Sequence, residues 1–337
     1  MKTIKLDFIG FWQNFDKKHN LFIDILRERF EVEISSDPDY VIVSPLGAPF
    51  EYLKYNCVRI LFSGEPLVPD FNVFDYAIGF DYLSFPDNKT AGRYYRYPLC
   101  LYNHSLLEKV SRGHSYEEAK AILAAKKYFC NFIYGHRSAK GEREAIFSAV
   151  QKYKRVESAG SFLNNMPDGT IVPYSEKKME FLKLCKFTIS CESISYPGFV
   201  TEKLANPLCY GSVPIYYGNP LVSKEFNPEA MINLHEYPSF EAGVERVIEA
   251  DRNDELYIRM LMAPRFVSEN YMNCMYLGLK DFLFSIFSQG PEEAYRRLRF
   301  YIQQEHENRL DEYRRFSASP EYKLFNMLHP KKQRETH

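Results

Sequence analysis

The sequence predicts an α/β protein of two open parallel-sheet domains with a cleft between them. Three observations carry that expectation. Short apolar runs of strand character alternate with segments of helical spacing along the 337 residues, the pattern of parallel sheets with helical crossovers. The alternation restarts near residue 125, and a chain of this length exceeds what one hydrophobic core usually organises. The composition, 45% hydrophobic and 26% charged, is that of a globular protein with enough apolar surface to build both cores.

In chain order, residues 3–9 read as a first buried strand closed by Gly10, and 22–30 as a helix. Residues 31–35, 40–44, 58–63 and 76–78 read as short strands. A helix opens at Ser115, where Glu118 three residues on completes a capping box. The second unit then follows: strand 128–134, helix 141–152, strand 187–191 and strand 213–217. Residues 291–316 read as one long charged helix with Arg296, Arg297, Arg299, Arg309, Arg314 and Arg315. The divisions are therefore 1–124, 125–290 and 291–337. Open parallel sheets bind ligands at the carboxyl ends of their strands, so the site is expected where loops of the two domains face each other.

Composition narrows the function. A formal net charge of −1 gives no electrostatic footprint for nucleic acid. The seven cysteines are an odd number with no C-x-x-C pair and no zinc spacing, so reduced thiols in a cytoplasmic setting are expected. The opening MKTIKLDFIGFW has a strand pattern rather than a signal-peptide core. No apolar run reaches the roughly 18 residues of a membrane span.

Three stretches carry chemistry. In SYPGFVTEKLANPLCYGSVPIYYGNP, residues 195–220, a strand and a glycine turn lead into a helix capped by Thr201. Glu202 and Lys203 then fall in its first turn, where free backbone N–H groups bind phosphate. Lys203 opposes the helix dipole unless something negative lies beside it. A nucleotide phosphate would supply that charge, while Glu202 would accept hydroxyls from a ribose or sugar. The same pattern also fits an ordinary helix start with a solvated Glu–Lys pair. Pro207 is expected to kink this helix or to mark a restart capped by Asn206.

The second stretch is RILFSGEPLVPDFNVFDYAIGFDYL, residues 59–83. Its strand ends at Glu65, a carboxylate at the tip of a parallel strand and thus at the ligand crevice. Shielded among Phe and Leu side chains it would serve as a general base. An exposed turn glutamate is the plain alternative. Asp75 and Asp81 are weaker candidates. The third is Arg143 in GHRSAKGEREAIF, placed either to grip a diphosphate bidentately or to pair with a neighbouring glutamate. No G-x-G-x-x-G and no P-loop pattern is present.

At this point the sequence resembles a known family. SGEPLVPDFNVFDYAIGFD is similar to the acceptor-domain signature of the α-1,3-fucosyltransferases. YPGFVTEKLANPLCYGSVPIYYGNP is similar to their donor-domain signature, and GEREAIFSAVQKYKRVESAGSFLNN follows them in order and spacing. The resemblance implies the GT-B architecture, two facing Rossmann-like domains, with 1–124 binding acceptor and 125–290 binding the GDP-sugar. It implies inverting transfer of L-fucose from GDP-β-L-fucose to a GlcNAc-type residue such as N-acetyllactosamine, in α-1,3 linkage, for surface polysaccharide. No metal or other cofactor is required by that architecture. By the same resemblance Glu65 is the base, Arg143 and Lys203 hold the diphosphate, and Glu202 binds sugar hydroxyls. Phe199, Val200, Ser193, Gly135 and His136 complete the donor contacts.

The chain departs from the family pattern at three places. Phe199 stands where the family has tyrosine, Ser193 where it has asparagine, and Gly135-His136 where a Ser-Asn pair is common. These departures raise two alternatives: a related GT-B transferase using another nucleotide deoxysugar, and a catalytically silent glycan- or nucleotide-binding protein. The arginines of 291–316 and the terminal KKQR (331–334) suit peripheral contact with an anionic membrane on its cytoplasmic face, or simply a solvated helix.

Overall fold

The structure, a computed structural model, describes residues 1–85, 92–172, 176–297 and 300–328. Arg299 and the KKQR segment lie outside the described residues. The chain divides into two compact units, residues 1–98 with 276–337, and residues 99–275.

The first unit is a six-stranded sheet. β1 (Lys2–Ile9), α1 (Leu21–Leu26), β2 (Phe30–Ile34), β3 (Tyr40–Val43), β4 (Val58–Phe62), β5 (Tyr76–Gly79) and β6 (Tyr94–Arg96) follow in chain order. The sheet order is β2-β1-β3-β4-β5-β6, and every pairing is parallel. Strands β3, β4 and β5 are buried along their whole length, which is why β3 and β5 read as continuous apolar runs and β4 as one broken only by Arg59. Helix α1 is capped by Asn20, whose side chain accepts from the N–H groups of Phe22 and Ile23. It ends at Leu26 rather than near residue 30, because Phe30 already pairs with Lys2 as the first residue of β2.

The second unit holds α2 (His104–Val110), α3 (Tyr116–Ala124), β7 (Tyr128–Phe132), α4 (Glu142–Tyr153), β8 (Val156–Ser158), α5 (Glu176–Leu184) and β9 (Cys185–Cys191). It continues with α6 (Glu202–Cys209), β10 (Val213–Tyr217), β11 (Ile232–Asn233), α7 (Phe240–Arg252) and α8 (Asp254–Met262). Its sheet, β11-β10-β9-β7-β8, is parallel throughout. The capping box at Ser115 and Glu118 is present. Pro207 lies inside α6, two residues before its end, without a restart.

Helix α9 (Tyr271–Ser288) carries the chain out of this unit, followed by α10 (Pro291–Ala294), α11 (Tyr301–Ala318) and α12 (Pro320–Leu328). Three expectations change here. The boundary falls at 98 instead of 124, since α2 and α3 pack on α6 and α8. The C-terminal segment joins the first unit instead of standing apart. The single helix expected over 291–316 is broken, because the backbone N–H groups of Arg296 and Arg297 donate to Asp75 Oδ1 (2.8 and 2.9 Å). Asp75, fully buried, also receives Arg297 Nε at 3.1 Å. Asp75 is thus a structural anchor and not a catalytic candidate. No helix among the described residues is long and apolar enough to cross a membrane.

Both sheets reverse their direction of growth once, the first between β1 and β3 and the second between β7 and β9. At such a point the connections on either side run to opposite faces and leave a crevice at the carboxyl ends.

Candidate active site

The reversal point of the second unit gathers eight of the nine residues to which the resemblance gives a role. Arg143, the second residue of α4, is 5% exposed. Its Nη1 donates to the His136 carbonyl at 2.7 Å, and its Nε and Nη2 donate to the Cys191 carbonyl at 3.4 and 3.3 Å. The guanidinium lies 4.2 Å from the centroid of the Tyr134 ring. Tyr134 Oη accepts from the Cys191 N–H and donates to the Ile189 carbonyl. Arg143 therefore laces the end of β7 to the end of β9. The neighbouring glutamates are engaged elsewhere, Glu144 with Arg137 and Glu142 with the Ser138 hydroxyl.

The Ala139 N–H donates to the Ser193 carbonyl at 3.1 Å, so the loop with Gly135 and His136 and the loop with Ser193 form one wall. Gly135 and His136 are exposed and Ser193 is half-buried. Phe199 and Val200 turn their side chains into the interior, at 2% and 0% exposure. They shape the turn before α6, where Gly198 adopts φ +83° and donates its N–H to Asn219 Oδ1.

At the start of α6, Thr201 is the cap, its hydroxyl accepting from the Lys203 N–H. Beneath it lies Glu192, 1% exposed. One carboxylate oxygen accepts from the Thr201 N–H (2.8 Å) and the other from the Thr201 hydroxyl (2.7 Å). Lys203 Nζ sits 3.3 Å from Glu202 Oε1 and 3.6 Å from Glu192 Oε2. Gly218, just after β10, makes this possible: a Cβ there would lie 2.4 Å from Glu192 Cγ. The charge that offsets a lysine at a helix N-terminus is therefore already built in, as two carboxylates.

The electrostatics follow from burial and pairing. Burial raises the Glu192 pKa above the ordinary glutamate value, against the pull of Lys203. Burial acts in the same sense on Glu202, but Lys203 and Lys178 outweigh it and hold that carboxyl below its usual range. Lys203 is itself raised, burial being overcome by Glu202 and Glu192, with Arg143 opposing. Lys178, in the first turn of α5, is lowered by burial while Glu202 favours its charge. Among the described residues, the crevice thus brings the cations Arg143, Lys178 and Lys203 beside the carboxylates Glu192 and Glu202. It suits an anion that displaces part of the internal pairing.

Glu65 stands in the first unit, at the carboxyl end of β4. The Ser63 hydroxyl donates to the carbonyls of Glu65 (2.8 Å) and Leu67 (2.9 Å) and so fixes the turn. Its side chain is exposed, as are those of the neighbouring Pro66, Leu67 and Val68. Asp81, the other acidic candidate, accepts from the Tyr82 N–H at 2.7 Å.

Sequence reasoning missed Glu192 and Lys178. Glu192 carried the same signal that marks Glu65, a carboxylate at the tip of a parallel strand. Lys178 carried none, since only packing brings α5 beside α6.

The chain matches two family models: the α-(1,3)-fucosyltransferase FucT N-terminal domain over residues 6–103, and the C-terminal part of glycosyltransferase family 10 (fucosyltransferase) over residues 123–263. It is 30% identical over 278 residues to the α-(1,3)-fucosyltransferase FucT of Helicobacter pylori, covering 72% of this chain and 56% of that protein. It is 31% identical over 123 residues to α-(1,3)-fucosyltransferase B of Drosophila melanogaster, covering 34% of this chain and 28% of that protein. The chain therefore spans between a quarter and little more than half of these relatives. A crystal structure of an α1,3-fucosyltransferase superposes with a TM-score of 0.66 and 25% identity, over 84% of this chain and 90% of that one. A second, with GDP-fucose, gives 0.64 and 24%, over 84% and 91%, and bears on the fold alone. The two parallel-sheet units are those of the GT-B fold.

Proposed function

We propose a function from one premise, that this chain belongs to the α-1,3-fucosyltransferase family, glycosyltransferase family 10. It transfers L-fucose from GDP-β-L-fucose to a hydroxyl of a GlcNAc-type residue, in α-1,3 linkage and with inversion, in the synthesis of a surface polysaccharide on the cytoplasmic side of the membrane. The observation that carries this reading is the Glu192–Thr201–Lys203 arrangement at the start of α6, with Arg143 beside it at the reversal point of the sheet.

In this mechanism Glu65 takes the proton of the acceptor hydroxyl as its oxygen attacks the anomeric carbon of fucose. The bond from that carbon to the β-phosphate oxygen breaks, and GDP leaves with the electron pair. Lys203, Arg143, Lys178 and the N–H groups of α6 balance the charge that grows on the diphosphate. Glu202, held ionised, accepts hydroxyls of ribose or fucose. With cations from the protein at the leaving group, the proposed reaction runs without a resident metal or cofactor.

The test is GDP release from GDP-fucose with and without N-acetyllactosamine, together with a gain of one fucose on the glycan by mass. Glu65→Gln should lower turnover by about 10²–10⁴-fold, the range of general-base catalysis, with GDP affinity unchanged. Near-normal turnover in that variant would remove Glu65 from the role. A second reading, transfer of another nucleotide-linked deoxysugar, draws on Phe199: the residue has no hydroxyl and its ring is buried. A panel of GDP- and dTDP-linked deoxysugars against the same acceptor separates the two.

A further inference from the structure

The first unit has its own crevice at the point where its sheet reverses. A cavity of about 410 Å³ opens there, lined by Ile9 and Gly10 from the end of β1, Val43 and Ser44 from β3, and Leu67 and Val68 from the turn that carries Glu65. Its floor is a close crossing of backbones. Gly10 has φ +70° and a Cβ there would lie 2.0 Å from the Ser44 carbonyl oxygen, while one on Gly47 would lie 2.6 Å from the Gly10 Cα. Phe50, Tyr52 and Phe74 give it aromatic walls. From outside, Tyr313 of α11 stacks edge-on against Phe50, with ring centroids 5.9 Å apart.

The volume falls within the range of small-molecule sites, and the lining has their character, mostly apolar with few polar groups. The charged side chains that line it are Glu51, paired with Lys54 at 3.3 Å, and Asp70, whose Oδ1 accepts from the backbone and side-chain N–H groups of Asn72. Sugars suit such a lining, with ring C–H faces against aromatic rings and hydroxyls to carboxylates. Among the described residues, an anion finds no cation in this lining and meets Asp70 directly, with Glu51 offset in part by Lys54. The Glu65 turn shares the wall, since the Ser63 hydroxyl binds the Leu67 carbonyl as well as that of Glu65.

We propose that this cavity seats the acceptor's GlcNAc-type residue by its apolar face, the acetamido methyl against the aromatic wall, and that Glu51 and Asp70 make the enzyme select neutral acceptors over anionic ones. The inference rests on the reading of Glu65 as the base, because the seat lies beside the residue that must reach the reacting hydroxyl.

The experiment fills the mouth of the cavity. Ala48→Trp and Val68→Trp replace exposed side chains, so folding should survive, as circular dichroism and the Tm would record. Each variant should raise the acceptor KM about tenfold, the effect of losing one well-buried apolar group. The KM for GDP-fucose and the slow acceptor-independent release of GDP should not move. The wild-type chain should use N-acetyllactosamine at least about tenfold better than its sialylated form. Unchanged acceptor KM in folded variants, or equal use of the two acceptors, would overturn the proposal and leave the fucosyl-transfer reading intact. Saturation-transfer NMR of N-acetyllactosamine on the full chain separates the two failures. A methyl signal lost in Val68→Trp supports the seat even if no fucose is transferred, and no signal in the wild type overturns it.

Discussion

Glu192 is the residue on which the geometry of the crevice at α6 turns. It receives the Thr201 N–H and hydroxyl and lies under Lys203, so it fixes the cap of α6 and aims the lysine. Glu192→Ala would leave two buried donors without partners, at about 1–3 kcal/mol each, and should lower the Tm while raising the KM for GDP-fucose. Glu192→Gln keeps the shape and gives a test by pH. The folded pKa of Glu192 is raised, so the native state holds its proton to higher pH than the unfolded chain. Its contribution is full below the ordinary glutamate value and is lost as pH rises through the folded value. Glu202 has the opposite sign, its stabilisation present above the ordinary value and lost as pH falls through the lowered one. The Tm of Glu192→Gln relative to wild type should therefore improve from pH 4 to pH 8. An unchanged difference would mean that Glu192 is not held as described. Lys203 was legible in the sequence as a cation at a helix start. The carboxylate beneath it, eleven positions earlier in the chain, was not, because that pairing is made by the return of the chain after β9.

At the scale of elements, the C-terminal helices are held to the first sheet by buried charge. Asp75 receives two backbone N–H groups and the guanidinium of Arg297. Glu307 on α11 completes the network with Arg297 and Arg59, the latter at 3.2 Å. Removing one partner of a buried pair leaves an uncompensated charge, costing about 3–5 kcal/mol. Asp75→Ala should lower the Tm accordingly and open the segment after α9 to limited proteolysis. Cleavage kinetics equal to wild type would show that the helices are held by other contacts. The same residues explain why one helix was expected and two were found. Helical spacing over 291–316 is real, but Asp75, more than 200 positions away, takes the amides that would have continued α10.

At the scale of the molecule, the two units repeat one plan: a parallel sheet that reverses once, with functional side chains at the carboxyl ends beside the reversal. The crevice of the second unit carries cations, and that of the first carries carboxylates with aromatic rings. On the proposed reading, that division predicts a reaction that needs no divalent metal at the diphosphate, since Arg143, Lys178 and Lys203 would supply the charge. Turnover measured in excess EDTA should stay within about twofold of the untreated rate, well under the several kcal/mol that a metal Lewis acid contributes. A collapse of turnover that Mg²⁺ or Mn²⁺ restores would refute it.

Taken alone, the sequence determined the α/β class, the count of two units, the strands whose every residue is apolar, and the charged residues on which the proposed site is built. Each of these rests on local information: a run of buried side chains, a capping residue, a carboxylate or lysine at a strand or helix end. Tertiary structure decided what depends on distant residues meeting. It moved the unit boundary to residue 98 and returned the C-terminal helices to the first sheet. It put Glu192 and Lys178 beside Lys203, turned Phe199 and Val200 inward, and left Glu65 exposed on a pinned turn. Burial and charge pairing are properties of the packed chain, set by neighbours that adjacent sequence does not contain.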